Sequence, residues 1–183
     1  MFSAVLGFAA GAAAWTFIEY VIHFWLGHLP KGKILISAEH LKHHADILYF
    51  TPPRLKVRGA VPVLSALLII ASAVFGLAVG LGFVSAVAVG WTVYERLHQS
   101  IHVNGPTNWY SRWAARHHLY HHFARPNRNH GVTTPLWDII LRTYERPPPV
   151  RIGRRHLANI PWMAAALEAE PARATFMADY ELI

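Results

Sequence analysis

The sequence has no cysteine among its 183 residues. That excludes disulfides, cysteine-ligated zinc, iron–sulfur clusters and c-type haem attachment. Charge is scarce too: Asp, Glu, Lys and Arg make up 15% of the chain, against 54% hydrophobic residues. Whole stretches lack it. No charged residue occurs in residues 1–18, and none between Val61 and Tyr94, a window that also lacks histidine. Such runs indicate membrane spans, because a transmembrane helix takes about 20 mostly apolar residues. No internal repeat is evident, and the length is that of one domain.

The apolar stretches predict a first helix over residues 3–27, ending near His28 ahead of Pro30 and Lys31. Gly7-x3-Gly11 would let another helix approach it closely. The first histidine pair lies at the end of this stretch, so we read it as a retained anchor and not a cleaved signal peptide. From Ala60 to Tyr94 the chain is apolar for 35 residues, about 52 Å as one helix. A bilayer core of about 30 Å is too thin for that. Gly76, Gly80 and Gly82 punctuate the run, which predicts a helical hairpin with two crossings. The expected fold is therefore an all-α integral membrane protein. It has about three transmembrane helices, one plus a hairpin, under a histidine-rich helical cap.

All seventeen Lys and Arg residues fall in two segments, six in 31–58 and eleven in 96–173. The net charge of +7 reads as positive-inside bias, which places the cap and the C-terminus on the cytoplasmic face. The same charge could suggest nucleic-acid binding, but it flanks apolar spans and does not line a separate soluble domain, so no nucleic-acid partner is expected.

Histidine is what the chain has in excess. Twelve of thirteen fall in the windows 23–44, 98–102 and 117–130, leaving only His156 outside among arginines, where solvent or headgroup contact is expected. On a helix, His118, His121 and His122 leave one face together, and His40, His43 and His44 repeat that spacing. The pairs His23-x4-His28 and His98-x3-His102 complete the set. A helix from Ala38 to Ala45, with Ser37 as N-cap, would carry the first cluster, and one from about Asn108 to Phe123 the last. Imidazole is the commonest protein ligand for zinc and iron. Ten imidazoles exceed what one metal can hold, so two metals are expected with four or five histidines each. His117 and His130 are further candidates as ligands or outer contacts. Glu19 sits four residues before His23, where its carboxylate could hydrogen-bond that ring. Pro135 to Thr143 reads as a short amphipathic helix, Pro147-Pro-Pro149 as a stiff extended piece, and Ile160 to Ala174 as an interfacial or packing helix.

In order and spacing, these four histidine boxes resemble those of the fatty acid hydroxylase superfamily, the sterol desaturase-like membrane oxygenases. The segment Asn129-His-Gly-Val-Thr-Thr-Pro-Leu-Trp-Asp138 is similar to the one after the last box in fatty acyl and sphingolipid 2-hydroxylases. The resemblance spans about residues 15–145 and implies a non-haem di-iron enzyme, able to carry zinc when isolated, that uses O2 and two electrons to oxidise a lipid. It makes His23, His28, His40, His43, His44, His98, His102, His118, His121 and His122 the metal ligands. His117, His130 and Glu19 stay less defined, and no catalytic residue beyond the ligands is assigned. The expected reaction is hydroxylation of an acyl chain, at C2 of a fatty acid or sphingolipid. The alternatives are carotenoid or sterol oxidation within the same superfamily, or a non-catalytic zinc-binding membrane protein. A metal transporter would carry ionisable groups inside its spans, and Val61–Tyr94 has none.

The implied partners are a membrane lipid and a separate electron donor of ferredoxin or cytochrome b5 type. Arg112, Arg116, Arg125 and Arg128 are candidates to dock an acidic carrier. The expected division is a membrane-embedded hydroxylase domain over 1–150 and a basic, amphipathic C-terminal tail over 151–183.

Overall fold

The computed structural model describes residues 1–168 and 178–183. Three helices are long and apolar enough to cross a membrane. The first is α1, Phe2–Tyr20, which runs without a break into a π-helical segment, Val21–His28. It ends before Pro30, as the sequence predicts. The predicted hairpin is α3, Pro53–Phe75, and α4, Leu77–Val103. Gly76 separates them at φ +89° and ψ 153°, a conformation open in practice only to glycine. Gly80 and Gly82 do not break the chain; both lie within α4.

The helix α4 is the central span. Gly7 and Gly11 of α1 face its backbone so closely that an added Cβ would stand 2.2 Å from Val79 O and 2.3 Å from Phe83 O. Small residues let two helices meet at that distance, and in lipid such close packing is a main source of helix association. The helix α3, by contrast, contains no buried residue. Its Ile69, Ile70 and Val74 are more than 60% exposed, a face suited to acyl chains and not to water.

The cap is built from α2, Leu35–Ala45, and α5, Trp109–Phe123. Ser37 is not the N-cap of α2. The helix begins one turn earlier than predicted, and the Ser37 hydroxyl lies inside it, accepting from Gly32 N and donating to Gly27 O. Its role is to tie α2 to the end of the first span. A full capping box starts α5: Asn108 Oδ1 accepts from Ser111 N, and Ser111 Oγ accepts from Asn108 N.

The short helix α6, Leu136–Ile140, docks on the first span through Trp137, whose indole donates to Thr16 Oγ1. Beyond it, the strands β1, Val150–Ile152, and β2, Tyr180–Leu182, pair in parallel. This ribbon is the one departure from an all-helical fold among the described residues. The predicted helix over 160–174 is present as α7, Pro161–Glu168; the remainder of that prediction lies outside the described residues. Val150, Ile152, Ile160 and Met163 are fully buried against Ile101 of α4 and Leu119 of α5. The back of the histidine-bearing helices is thus held by an apolar core, and their other face is free for polar work.

Candidate metal centre

The histidines reach one place by different local geometries. On α2, α4 and α5 the spacing of three or four residues puts rings on one helical face. His23 and His28 are five residues apart, which on an α-helix would turn them about 140° away from each other. The π-helical segment removes that rotation, because its hydrogen bonds run from i to i+5, as in Leu29 N to Phe24 O at 3.2 Å. Sequence reasoning missed this turn, although the x4 spacing was its signal.

Ten histidines collect into two groups of five. The first is His23, His28, His40, His44 and His121; the second is His43, His98, His102, His118 and His122. Within each group the five ring nitrogens lie within 4.8 Å of one another. In the first, Nε2 to Nε2 distances are 3.1 Å for His23–His121, 3.0 Å for His28–His121 and 2.8 Å for His40–His28. In the second, they are 3.2 Å for His43–His102, 3.1 Å for His118–His102 and 3.0 Å for His122–His118. The two groups adjoin where the rings of His44 and His122 stack at 4.1 Å. A cavity of about 190 Å³, lined by His44, Ile47, His122, Phe123 and His156 among others, opens at that junction.

The tautomers test whether such sites suit a cation. His23 Nδ1 faces the carbonyl of His130, and His121 Nδ1 faces that of Arg128 at 2.6 Å. A carbonyl only accepts, so both Nδ1 atoms carry the proton and both Nε2 atoms present bare lone pairs. Those two lone pairs point together across 3.1 Å. Facing lone pairs repel unless a cation lies between them. Metal–nitrogen bonds of about 2.1 Å, set near right angles, span roughly 3 Å, so the residues fit a metal in both groups.

Electrostatics agree. Burial, followed by neighbouring imidazoles, holds His40, His118, His121 and His122 well below the usual histidine range. Burial brings His43 down to about 4 and His44 to about 3. Rings that resist protonation are ready ligands at neutral pH. Apolar and aromatic residues surround them. Tyr94 stacks on His98 at 5.6 Å, Phe50 lies 5.6 Å from His43, and Phe24 stacks on His130 at 4.3 Å.

The three less defined candidates lie outside both groups. His117 is buried between Trp113 and Tyr144, with Nε2 3.5 Å from Asp138 Oδ2. His130 acts through its backbone carbonyl. Its ring is brought down to about 4, chiefly by burial. Glu19 does not bond His23, because that ring's free N–H is already taken by His130. Instead the Glu19 carboxylate accepts from Val132 N at 2.5 Å, from Thr133 N at 2.8 Å and from the Thr133 hydroxyl. Sequence reasoning also left Asp138 without a role. Its carboxylate accepts from His130 N, Gly131 N and Thr143 Oγ1. Burial alone would raise it; the facing His117 and these donors outweigh burial and hold it below the usual carboxylate range. Three of the arginines considered for docking have partners within the chain: Arg112 and Arg116 both engage Asp179, and Arg128 donates to Arg142 O and lies 4.0 Å from Glu145 Oε2.

Comparison with known proteins places this geometry in context. The model of the fatty acid hydroxylase family matches residues 8–143. The chain is 28% identical over 145 residues to the dihydroceramide fatty acyl 2-hydroxylase FAH1 of Arabidopsis thaliana, covering 73% of this chain and 58% of that protein. It is 28% identical over 154 residues to the fatty acid 2-hydroxylase of Homo sapiens, covering 78% of this chain and 40% of that one. The solved hydroxylase domain of full-length Scs7p superposes with a TM-score of 0.64 at 27% identity, covering 79% of this chain and 57% of that one. The chain thus spans 58% or less of the length of these relatives. Three apolar spans and this likeness make it an integral membrane protein.

Proposed function

The chain belongs to the fatty acid hydroxylase family, and from that membership we propose that it is a di-iron lipid hydroxylase acting on an acyl chain. Its relatives, a dihydroceramide fatty acyl 2-hydroxylase and a fatty acid 2-hydroxylase, support C2 of a fatty acid or sphingolipid as the position attacked. The observation that carries the reading is the pair of five-histidine groups set at the ends of apolar spans. The ten box histidines would hold two metals. Neutral imidazoles in that number suit iron, with positions left for O2. Bound iron supplies the oxidation of an unactivated C–H bond. Overall, R–H, O2, two electrons and two protons give R–OH and water.

The chain's own residues do the rest. The lipid-facing surfaces of α1, α3 and α4 would align the acyl chain with the bilayer, its reacting carbon beneath the cap. Tyr94, Phe50 and Phe24 would exclude water from the histidines. A separate ferredoxin or cytochrome b5-type carrier would bring the electrons to a cytoplasmic cap. The lysines and arginines in 31–58 and from 96 onward support that orientation. Exposed Arg125 is better suited to meet a carrier than Arg112 or Arg116, which Asp179 already engages.

The test is purification under anaerobic conditions with ferrous iron, then metal analysis, together with lipid analysis of expressing cells. The expected result is two irons per chain and hydroxylated acyl chains, both changed in His121→Ala: one iron fewer and no product. Tightly held zinc, with no change in acyl lipids, sterols or carotenoids under donor supply, would replace this reading with a structural metal site.

A further inference from the structure

The loop between α5 and α6 feeds two carbonyls into the first histidine group and none into the second. His130 O takes the Nδ1 proton of His23, and Arg128 O takes that of His121. In the second group the corresponding partner of His43 is Tyr49 O, on a different segment, and the Nδ1 atoms of His102, His118 and His122 have no partner among the described residues. The loop is therefore specific to one group.

Its position is set by buried side chains along its whole length. Asn129 is fully buried; its amide exchanges hydrogen bonds with the Glu145 backbone, and its own N–H donates to Thr143 O at 3.0 Å. Asp138, also fully buried, accepts His130 N on Oδ1 at 2.9 Å and Gly131 N on Oδ2 at 2.7 Å. Glu19, 1% exposed, takes the next two backbone N–H groups, of Val132 and Thr133, on one oxygen and the Thr133 hydroxyl on the other. Two carboxylates from separate elements, one on a membrane span and one on α6, thus hold four consecutive N–H groups. Burying two charged groups is costly without a full set of donors. A structural anchor could be built from neutral acceptors, yet here both acceptors are acidic and both lie behind the same two ligands.

We propose that Glu19 and Asp138 are positioning residues. They clamp the 128–133 loop so that its carbonyls fix His23 and His121 with Nε2 bare, and they thereby set the metal affinity of the first group and not of the second. The proposal rests on the two-metal reading above. Outer-shell partners of this kind typically change metal affinity by about 10–100-fold.

Asp138→Asn keeps the shape and removes the charge. Whichever way the amide turns, its NH2 meets one of the two N–H groups that the carboxylate now accepts. At Glu19 a glutamine could still accept both N–H groups on its one carbonyl oxygen and turn its NH2 to the Thr133 hydroxyl, so the matching variant is Glu19→Met, which keeps the length and removes the acceptors of Val132 and Thr133. The full-length proteins are titrated with cobalt(II), reading bound equivalents and the ligand-field absorption of each. Wild type should bind two equivalents. Each variant should keep one unchanged and bind the other at least tenfold more weakly. The retained equivalent is also the check that the chain has folded. Combined with His43→Ala, the clamp variant should lose tight binding altogether; combined with His121→Ala, it should lose nothing further. If either variant does not accumulate, Thr133→Val, which removes a hydroxyl donor from Glu19, is read for the same one-sided weakening. Wild type binding fewer than two equivalents overturns the two-metal reading and the clamp with it. Two equivalents in wild type, with variants that bind both normally or weaken both alike, overturn the clamp alone.

Discussion

Replacing Gly11 by alanine tests the packing that positions the two histidine groups. The new Cβ would lie 2.3 Å from Phe83 O and 2.9 Å from the Phe83 carbonyl carbon and Cα, all of them backbone atoms that no rotamer change can move. Reaching even 3.0 Å, the floor of real Cβ contacts, requires α1 and α4 to separate by 0.7 Å at that level. Overpacking of this kind costs about 1–3 kcal/mol. For a chain of this length, each kcal/mol shifts the melting temperature by about 2–4 °C, so a fall of roughly 2–12 °C is expected. His23 lies twelve residues along the same helix, about 18 Å away. Bound metal should therefore remain near the wild-type level at low temperature while the melt moves. Gly59→Ala is the control with the opposite sign. An added Cβ there meets nothing within 4 Å, and the site lies inside α3, so the exchange should stabilise by about 0.5–1 kcal/mol. The assay is thermal unfolding of the purified protein in one detergent, followed by far-ultraviolet circular dichroism. If Gly11→Ala melts no lower than wild type, the close approach of α1 to α4 is wrong.

Two further predictions concern the cap. Asn108→Ala removes the Ser111 N to Asn108 Oδ1 bond of the capping box at the start of α5, leaving the backbone N–H of residue 108 on Ser111 Oγ, and should cost about 1 kcal/mol; a melting temperature unchanged within error would mean that the cap does not limit stability. The pH dependence follows from His43 and His44, which burial holds at about 4 and about 3. Both rings stay neutral at pH 5, where an ordinary imidazole is mostly protonated, so bound metal should survive to pH 5 and be released as pH falls through about 4 to 3. In the metal-free protein, the unfolded chain takes up protons below about 6.5 that the folded chain refuses, so stability should decline from there downward. Metal release with a midpoint near 6.5 would refute both.

The spans were legible because absence of charge is a local property. Val61–Tyr94 has to be a hairpin on length alone, and the break at Gly76 follows from a residue that tolerates φ +89°. Ten candidate ligands were legible because imidazoles at i, i+3 and i+4 declare a shared face. What the sequence could not show is set across the chain. The start of α2 depends on Ser37 bonding to Gly27 and Gly32, which draws the hydroxyl inward and leaves it no capping role. Glu19 was read with its neighbour His23, one helical turn away, but its partners are more than a hundred residues off in Val132 and Thr133. A buried carboxylate goes where several N–H donors converge, and only the folded loop supplies them.

The division of the histidines could not be read from spacing either, yet it has a rule. In each His-x2-His-His box, the i, i+4 pair serves one group and the remaining histidine serves the other. On α2, His40 and His44 join the first group and His43 the second; on α5, His118 and His122 join the second and His121 the first. Each group is completed by a pair from a membrane span, His23 and His28 from the first span or His98 and His102 from α4. The two sites are thus built alike: a span pair, a box pair and one histidine from the other box. Because α2 and α5 each contribute to both, neither helix can shift without moving ligands in both groups. That exchange holds the rings of His44 and His122 at 4.1 Å, and it keeps the two groups adjacent, as the proposed two-metal hydroxylation would need. The outer contacts do not follow the exchange. The first group alone leans on the 128–133 loop, so the symmetry of the ligands is broken one layer out, and the two metals would sit in sites of unequal rigidity.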